Sequence, residues 1–367
     1  MSGLASQVEA WRARMAVTLA GATRYLVWYY LMSVLCLALP VTAQAPWTGP
    51  GVGQPAAQAV PVVGLTVGDM DRALAFYTTV LPFRVVADTE VAGRDWEDLT
   101  GVFGVRLRIV RLRLGEEQLE LTEYLAASTP GRPAPVDARS NDRWFQHVAI
   151  IVRDMDSAYA WLRAHRVRSA STGPQLLPKS IPGAAGIRAF YFKDPDGHPL
   201  EILQFPPDKG DPRWQRGQGL FLGIDHTAIV VAGTEQSLAF YRDLLGLRVA
   251  GESLNQGDEQ AHLNNVEGAR LRITGLRSPA GPGVELLEYL APTDGRPYPD
   301  DARPNDLLHW ETTVAVGSLD AVLARLDAAG VRRLSSGPAT LGARNLGLGA
   351  GVLVQDPDGH VVRLIDR

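Results

Sequence analysis

Cysteine and aromatic residues are scarce in this sequence, and neither sign of charge predominates strongly. Cys36 is the only cysteine in 367 residues, aromatic residues make up 7%, and the formal net charge is −4. A single cysteine excludes a scaffold held by disulfides. The charge balance gives no reason to expect nucleic acid or an anionic membrane as a partner. With 46% hydrophobic and 21% charged residues, the composition is that of a globular protein long enough for two domains.

The first 45 residues have the pattern of an export signal. Arg24 precedes a nearly continuous apolar run over residues 25–39, and residues 41–45 (VTAQA) supply small residues at the two positions that a signal peptidase reads. The run is shorter than the ~20 residues that span a bilayer. We therefore expect a signal peptide at 1–45, a periplasmic or secreted protein, and no stable membrane anchor after cleavage. Residues 46–59, rich in Pro, Gly, Ala and Gln, are predicted to be a linker.

The rest of the chain contains an internal duplication. The sequence VGDMDRALAFY at Val67–Tyr77 is matched by VAGTEQSLAFY at Val231–Tyr241, 164 positions later, and DPDGH occurs at both Asp194–His198 and Asp356–His360. Motifs repeated in one order predict two related halves. The predicted divisions are a first domain at 60–206, a linker at 207–221 and a second domain at 222–367.

Each half splits again into two modules with the order βαβββ. In the first module, an apolar strand at 61–67 leads into an amphipathic helix at 71–81. Strands follow near residues 84–87, 105–114 and 118–124. The succession begins again near Phe145, Ile224 and Leu308. The Asp-Pro-Asp-Gly motifs indicate tight turns, because Pro presets φ and Gly accepts the left-handed conformation.

These modules, the Phe-Tyr pairs within two of their helices and the DPDG turn before a last strand resemble the vicinal oxygen chelate superfamily. That superfamily includes glyoxalase I, bleomycin-resistance proteins and extradiol dioxygenases. The resemblance covers the chain from about Val60 to Arg367. It implies the fold more strongly than the function, because members of the family catalyse different reactions on the same fold. It implies an α+β fold in which four βαβββ modules form two open barrels. Metal ligands come from the first and last strands of each module.

Carried over residue by residue, the family's ligand positions fall on two residues in each module. In chain order these are Val62 and Glu120, His147 and Glu201, His226 and Glu285, and Glu311 and Arg363. If the alignment slips in the fourth module, His309 rather than Glu311 is the inward group. Val62 cannot bind a metal, and Arg363 would repel one.

Two pairings of the modules are open. If each half closes on itself, both barrels have an incomplete ligand set. If module 1 pairs with module 4 and module 2 with module 3, one barrel gathers His147, Glu201, His226 and Glu285. The other barrel then gathers the remaining residues, among which Arg363 can form an ion pair with an acid. Modules pair in this crossed way in fused glyoxalase I proteins, and we favour the crossed pairing here.

Two imidazoles and two carboxylates suit one divalent metal ion such as Zn, Ni, Co, Fe or Mn. Together, the resemblance and the N-terminal pattern imply an exported, metal-dependent lyase or isomerase acting on a small oxygen-chelating substrate, with Glu201 or Glu285 as general base. Two alternatives remain open: an extradiol-type ring-cleaving dioxygenase, and a non-enzymatic small-molecule binding protein of the resistance type. The oligomeric state is also open. Candidates for an apolar wall of the cavity are Tyr124, Trp144, Phe145, Tyr289 and Trp310.

Overall fold

Two mixed β-sheets form the framework, and each draws its strands from both halves of the sequence. The computed structural model describes residues 57–340, 346 and 349–366. The predicted export signal lies outside these residues. Among the described residues, no helix has the length and apolar character needed to cross a bilayer.

Modules 1 and 3 share one succession of elements. Module 1 consists of β1 (Ala57–Val67), α1 (Met70–Ala75) continued by a π-helical turn (Phe76–Val80), β2 (Arg84–Ala92), α2 (Arg94–Thr100), β3 (Arg106–Leu114) and β4 (Glu117–Ala126). Later in the chain, module 3 consists of β10 (Phe221–Val231), α4 (Thr234–Leu238) with a π-helical turn (Ala239–Leu244), β11 (Arg248–Gln256), α5 (Asp258–Asn264), β12 (Arg270–Arg277) and β13 (Gly283–Ala291).

Modules 2 and 4 share a second succession, with a longer first helix and shorter edge strands. Module 2 consists of β5 (Gln146–Val152), α3 (Met155–Ala164), β6 (Arg168–Ser169), β7 (Gln175–Leu176), β8 (Arg188–Lys193) and β9 (Pro199–Gln204). The last module consists of β14 (Trp310–Val316), α6 (Leu319–Ala328), β15 (Ala339–Thr340), β16 (Ala350–Gln355) and β17 (Val361–Asp366).

The predicted βαβββ modules are confirmed, with local differences. Asp69 begins α1 by accepting a hydrogen bond from the Arg72 backbone N–H at 2.9 Å, as an N-cap residue does. Helices α2 and α5 were not predicted. Strand β1 begins at Ala57, so it takes up the last three residues of the predicted linker. The second predicted linker contains one 3₁₀ turn, Pro212–Gln215.

The order of strands confirms the crossed pairing. One sheet has the order β15-β16-β17-β14-β1-β4-β3-β2, which joins module 1 to module 4. The other has the order β11-β12-β13-β10-β5-β9-β8-β6, with β7 on β8, which joins module 2 to module 3. The central antiparallel pairs are β1 with β14 and β5 with β10. The alternative in which each half closes on itself is therefore wrong.

Modules of the same half are held together by their apolar cores. Tyr77 of module 1 and Met155 and Phe192 of module 2 are fully buried in one hydrophobic cluster. A second cluster joins Tyr241 of module 3 to Leu326 of module 4. Because burying one large apolar side chain contributes about 1.5–3 kcal/mol, these clusters stabilise the packing of neighbouring modules.

Two long loops, Gly131–Trp144 and 295–307, pack against each other. Arg132 donates to the Asp306 carboxylate at 2.7 Å, and Asp306 is fully buried. The loops also approach closely, since a Cβ atom on Gly131 would lie 1.8 Å from the backbone oxygen of Asn305. These contacts fix both loops within the fold.

An equivalent contact joins an arginine of the second loop to an aspartate of the first. Arg296 donates to the fully buried Asp142 at 2.7 Å, and its guanidinium lies 4.7 Å from the Trp144 ring centroid. Burial alone would raise the pKa of Asp306 and of Asp142, but hydrogen bonds from the arginines hold both below their ordinary value. The two arginine–aspartate pairs relate the halves by an approximate twofold symmetry.

Replacing the buried carboxylate in Asp306→Asn should lower the free energy of unfolding by about 2 kcal/mol, because hydrogen bonds to a charged group are lost. Asp301→Asn is the matched control: Asp301 pairs with the same arginine but its side chain is 75% exposed, so its loss should cost under about 1 kcal/mol. Chemical denaturation of both variants measures the difference.

The effect of Asp306→Asn should also depend on pH. A depressed carboxylate pKa stabilises the fold above the unfolded value of about 3.9, and this stabilisation is lost as the pH falls through the folded value. The gap between wild type and Asp306→Asn should therefore shrink below about pH 4. A constant gap at all pH values would contradict the assignment.

Candidate metal centre

The central pair of strands places two histidines on one concave face. In the β5–β10 ladder, His147 lies opposite Ala228, and His226 lies opposite Ala149. The next strand on each side runs parallel to its neighbour and adds a glutamate: Glu201 on β9 pairs with Ala149, and Glu285 on β13 pairs with Ala228. Alternate residues of a strand share one face. The four predicted ligands therefore surround two alanines whose methyl groups leave the centre open.

The side chains of these residues converge. Single ligand atoms of His147, Glu201 and His226 all lie within 4.8 Å of one another. The Glu201 carboxylate is 3.2 Å from His147 Nε2 and 3.8 Å from His226 Nε2. The Glu285 carboxylate is 3.4 Å from His226 Nε2. Ligands held at ~2.1 Å by one ion lie roughly 3–4 Å apart, so this spacing fits a single metal.

The hydrogen bonds of the two histidines also fit a metal. His147 is 1% exposed, and among the described residues neither of its ring nitrogens makes a hydrogen bond of suitable geometry, although the Glu201 carboxylate lies 3.2 Å from Nε2. A buried imidazole without partners is costly unless something else binds it. His226 donates from Nδ1 to Asp225 at 3.0 Å, which leaves Nε2 free to bind an ion, and Arg277 donates to the same Asp225 oxygen at 2.7 Å. Asp225, which sequence reasoning missed, thus orients a ligand from behind.

Negative charge is concentrated at this cluster. Burial of His226 opposes its protonation, yet Glu285 and Asp225 raise its pKa to about 9. Glu285 differs from the other three residues because its side chain is 29% exposed. It is therefore the carboxylate best placed to meet both a cation and a substrate.

The cluster lies at the bottom of a cavity of about 140 Å³ that shares a wall with an outer groove of about 590 Å³. Two glycines make the groove: Glu285 pairs with Gly275, and Gly275 pairs with Gly251. Without side chains at these two positions, the strand row beside Glu285 stays open. Apolar groups line much of the inner cavity, namely Leu177, Ala184, Ile187, Ala189, Leu203, Phe205, Leu263, Ile273 and Leu287.

The predicted aromatic wall is wrong. None of Tyr124, Trp144, Phe145, Tyr289 and Trp310 is among the described residues that line this cavity. Trp144, Phe145 and Trp310 line a separate pocket beside the turn at residues 197–199. Two other aromatic residues, Tyr191 and Phe205, line the cavity, and the Tyr191 ring lies 4.9 Å from that of His147.

The other barrel holds ion pairs at the equivalent positions. Arg363 contacts Glu120 and Glu311, each at 2.7 Å, and His309 lies 3.4 Å from Glu311. Burial would raise the pKa of Glu311, but the charge of Arg363 lowers it to about 2. Glu311 lies opposite Gly64 on β1, just as His147 lies opposite Ala228. The alignment to Glu311 was therefore correct, and His309 joins it as a neighbour.

A second arginine fills the space that is open in the first barrel. Arg111 on β3 lies opposite Glu120 on β4, just as Gly275 lies opposite Glu285 in the first barrel. The Arg111 guanidinium contacts the Glu120 carboxylate at 2.5 Å. Two arginines thus neutralise two buried carboxylates here. The chain holds one barrel with a cluster of potential ligands and one barrel closed by internal salt bridges.

Comparison with known proteins agrees with this architecture. Residues 59–202 and 223–364 each match the Glyoxalase/Bleomycin resistance protein/Dioxygenase superfamily. The chain belongs to that superfamily, as the sequence resemblance implied.

Two relatives illustrate the match. A 2-epi-5-epi-valiolone epimerase from Actinomyces sp is 37% identical over 163 residues, which is 42% of this chain and 84% of that protein. Glyoxalase I from Zea mays has a similar structure with a TM-score of 0.56 at 17% identity, over 85% of this chain and 93% of that one. At that identity, the second match supports the fold alone.

We predict that the mature protein, purified without a histidine tag, contains about one divalent ion per chain. His147→Ala and His226→Ala should each lose it, because the two halves contribute one imidazole each to the same site. His309→Ala, in the second barrel, is the matched control and should keep the metal. Elemental analysis by plasma mass spectrometry measures the content, and loss in only one of the two site variants would contradict a shared ion.

Proposed function

We propose that this protein is a divalent-metal-dependent isomerase that moves a proton on a small substrate bearing two adjacent oxygens. The observation that carries the proposal is the convergence of His147, Glu201 and His226 beside Glu285, a carboxylate that opens onto a cavity. The relative named as an epimerase supports isomerase chemistry over lyase chemistry. The metal and its identity remain part of the proposal.

A divalent ion held by these residues would supply positive charge to a carbonyl oxygen, which makes the neighbouring C–H bond more acidic. Glu285 then accepts the proton from that carbon, since its carboxylate borders both the cavity and the outer groove. Glu201 projects from β9, across the central β5–β10 pair from Glu285 on β13. A proton removed by one carboxylate and returned by the other from the opposite side inverts the carbon with no net oxidation.

Other residues of the chain prepare this step. Asp225 and Arg277 hold the His226 ring so that Nε2 points to the centre. Leu203, Phe205 and Ile273 line the cavity and limit access of water, and reduced water strengthens the interaction of the carboxylates with a developing charge.

A second candidate function is favoured by the composition of the cluster. Two histidines and one carboxylate, His147, His226 and Glu201, are also the ligand set of non-haem iron oxygenases. Iron as the bound metal, together with oxygen uptake in the presence of catechols, would favour a ring-cleaving dioxygenase. Absence of metal after reloading would instead favour a binding protein.

We also propose that the protein is exported through the signal at residues 1–45. The support is the sequence pattern of Arg24 followed by the apolar run. N-terminal sequencing of the protein recovered outside the cytoplasm should begin near Pro46, whereas recovery of the uncut chain from the cytoplasm would contradict export.

To test the isomerase, deuterium exchange into 2-hydroxycyclohexanone in D₂O can be followed by NMR. The metal-loaded wild type should catalyse exchange at a carbon next to the carbonyl. Glu285→Gln should lower the rate about 10²–10⁴-fold, because general-base catalysis contributes that much. The matched control is Glu252→Gln, which changes a carboxylate of the outer groove and should keep the rate. Equal rates in all three proteins, after correction for background, would contradict the role of Glu285.

A further inference from the structure

A chain of uncharged polar side chains forms one wall of the same cavity. Ser253 donates to Asn255, Asn255 donates to Gln260 at 2.8 Å, and Gln260 donates to Asn264 at 2.5 Å. Ser253, Asn255 and Gln260 line the cavity that holds His147 and Glu285. We call these four residues the amide relay.

The strand register places the relay on the concave face of the barrel. Ser253 pairs with Ile273, which pairs with Leu287, two residues beyond Glu285 on β13. Because alternate residues share a face, Ser253 and Asn255 point to the side from which Glu285 projects. Gln260 and Asn264 are 2% and 1% exposed and reach the wall from helix α5.

The second barrel shows that the fold does not require these amides. The 164-residue offset between the halves brings Asn255 onto Val91 and Gln260 onto Trp96. Helix α2 occupies the place of α5, and Trp96 is buried there in an apolar cluster. An apolar residue at these positions therefore packs well. Buried amides are costly unless their hydrogen bonds are used, and they occur in the barrel that has the ligand cluster.

We infer that the amide relay binds hydroxyl groups, and that the substrate is a polyhydroxylated carbonyl compound. This inference rests on the proposed function. Within the relay, the second amide protons of Asn255 and Gln260 and the oxygen of Ser253 are unused by the bonds above. A hydroxyl group both donates and accepts, so it matches such a wall. The nearby carboxylates Glu201 and Glu285 disfavour an anionic substrate.

The relay would thus hold the part of the substrate remote from the reacting carbon. The reaction it serves is the proton transfer described above, in which one C–H bond breaks and one forms at the same carbon. No oxidant or co-reactant is consumed. Binding energy from remote hydroxyl groups fixes the orientation of that carbon between the two carboxylates.

The test compares two ketones, 2-hydroxycyclohexanone and a pentahydroxycyclohexanone, with the metal-loaded protein. Both carry two adjacent oxygens, but only the second has further hydroxyl groups. In the wild type, kcat/KM for deuterium exchange should be higher for the pentahydroxy ketone. Asn255→Leu and Gln260→Met should each reduce that preference, the ratio of kcat/KM for the pentahydroxy ketone to kcat/KM for the simple ketone, about tenfold or more, the equivalent of one lost hydrogen bond.

Two further variants make the comparison secure. Ser253→Ala removes the partly exposed end of the relay with little effect on packing, so it should lower the preference even where a buried substitution impairs folding. Gln256→Met is the matched control, since Gln256 follows Asn255 on β11 but is exposed. It should behave as the wild type.

The outcomes separate the two proposals. Equal kcat/KM for both ketones in the wild type, or an unchanged preference in the relay variants, overturns the hydroxyl-binding role and leaves the isomerase intact. If neither ketone exchanges, the proposed isomerase fails. Calorimetric measurement of the binding of the two ketones then tests whether the relay binds hydroxyl groups. Tighter binding of the pentahydroxy ketone that the relay variants lose supports the relay, and equal binding overturns it.

Discussion

Antiparallel hydrogen bonding between β5 and β10 is the interaction on which the site depends. It sets His147 of the first half beside His226 of the second, and the parallel neighbours β9 and β13 then bring in the two glutamates. A slip of one residue between these strands would turn one imidazole away from the face that carries the other. Since β1 and β14 pair in the same way, a fragment containing one half would expose β1 and β5 as unpaired edges, which are prone to association.

The duplication makes the two barrels a comparison within one molecule. Both place a glutamate at one equivalent strand position, Glu120 and Glu285, but one barrel balances its acids with Arg111 and Arg363 and the other leaves a small cavity. Removing one partner of such a buried ion network costs several kcal/mol. A single substitution among these residues would therefore destabilise the closed barrel. The open barrel carries its surplus negative charge around His226, where a cation can balance it.

Much of this arrangement could be predicted from the sequence, because repeated motifs identify equivalent positions. Once Glu201 and Arg363 were aligned, chemistry alone separated the candidate metal ligands from the other residues, and that sorting implied the crossed pairing. The local turns followed from Asp-Pro-Asp-Gly. Helices α2 and α5 escaped prediction because each is only seven residues long, too short for a helical period to be evident.

The residues that shape the cavity were harder to predict. Trp144 and Trp310 were candidates for the wall on aromatic character alone, whereas the actual wall comes from strands β8, β9 and β11 to β13, from helix α5 and from residues 177–187. Asp225 and the amide relay act through tertiary contacts that no periodicity reveals. A signal for the relay was nevertheless present, since Asn255 and Gln260 replace the apolar Val91 and Trp96 of the duplicated segment.

The crossed pairing also has a consequence for synthesis. Modules 2 and 3 are adjacent in the chain, so every strand of the sheet that holds the ligand cluster has been made once Ala291 is added. The other sheet must join Val63 to Thr312, and such distant contacts form slowly. While the last module is still being synthesised, all strands of the barrel with His147 and His226 are already present. Strand β1 has an unpaired edge until β14 has been made.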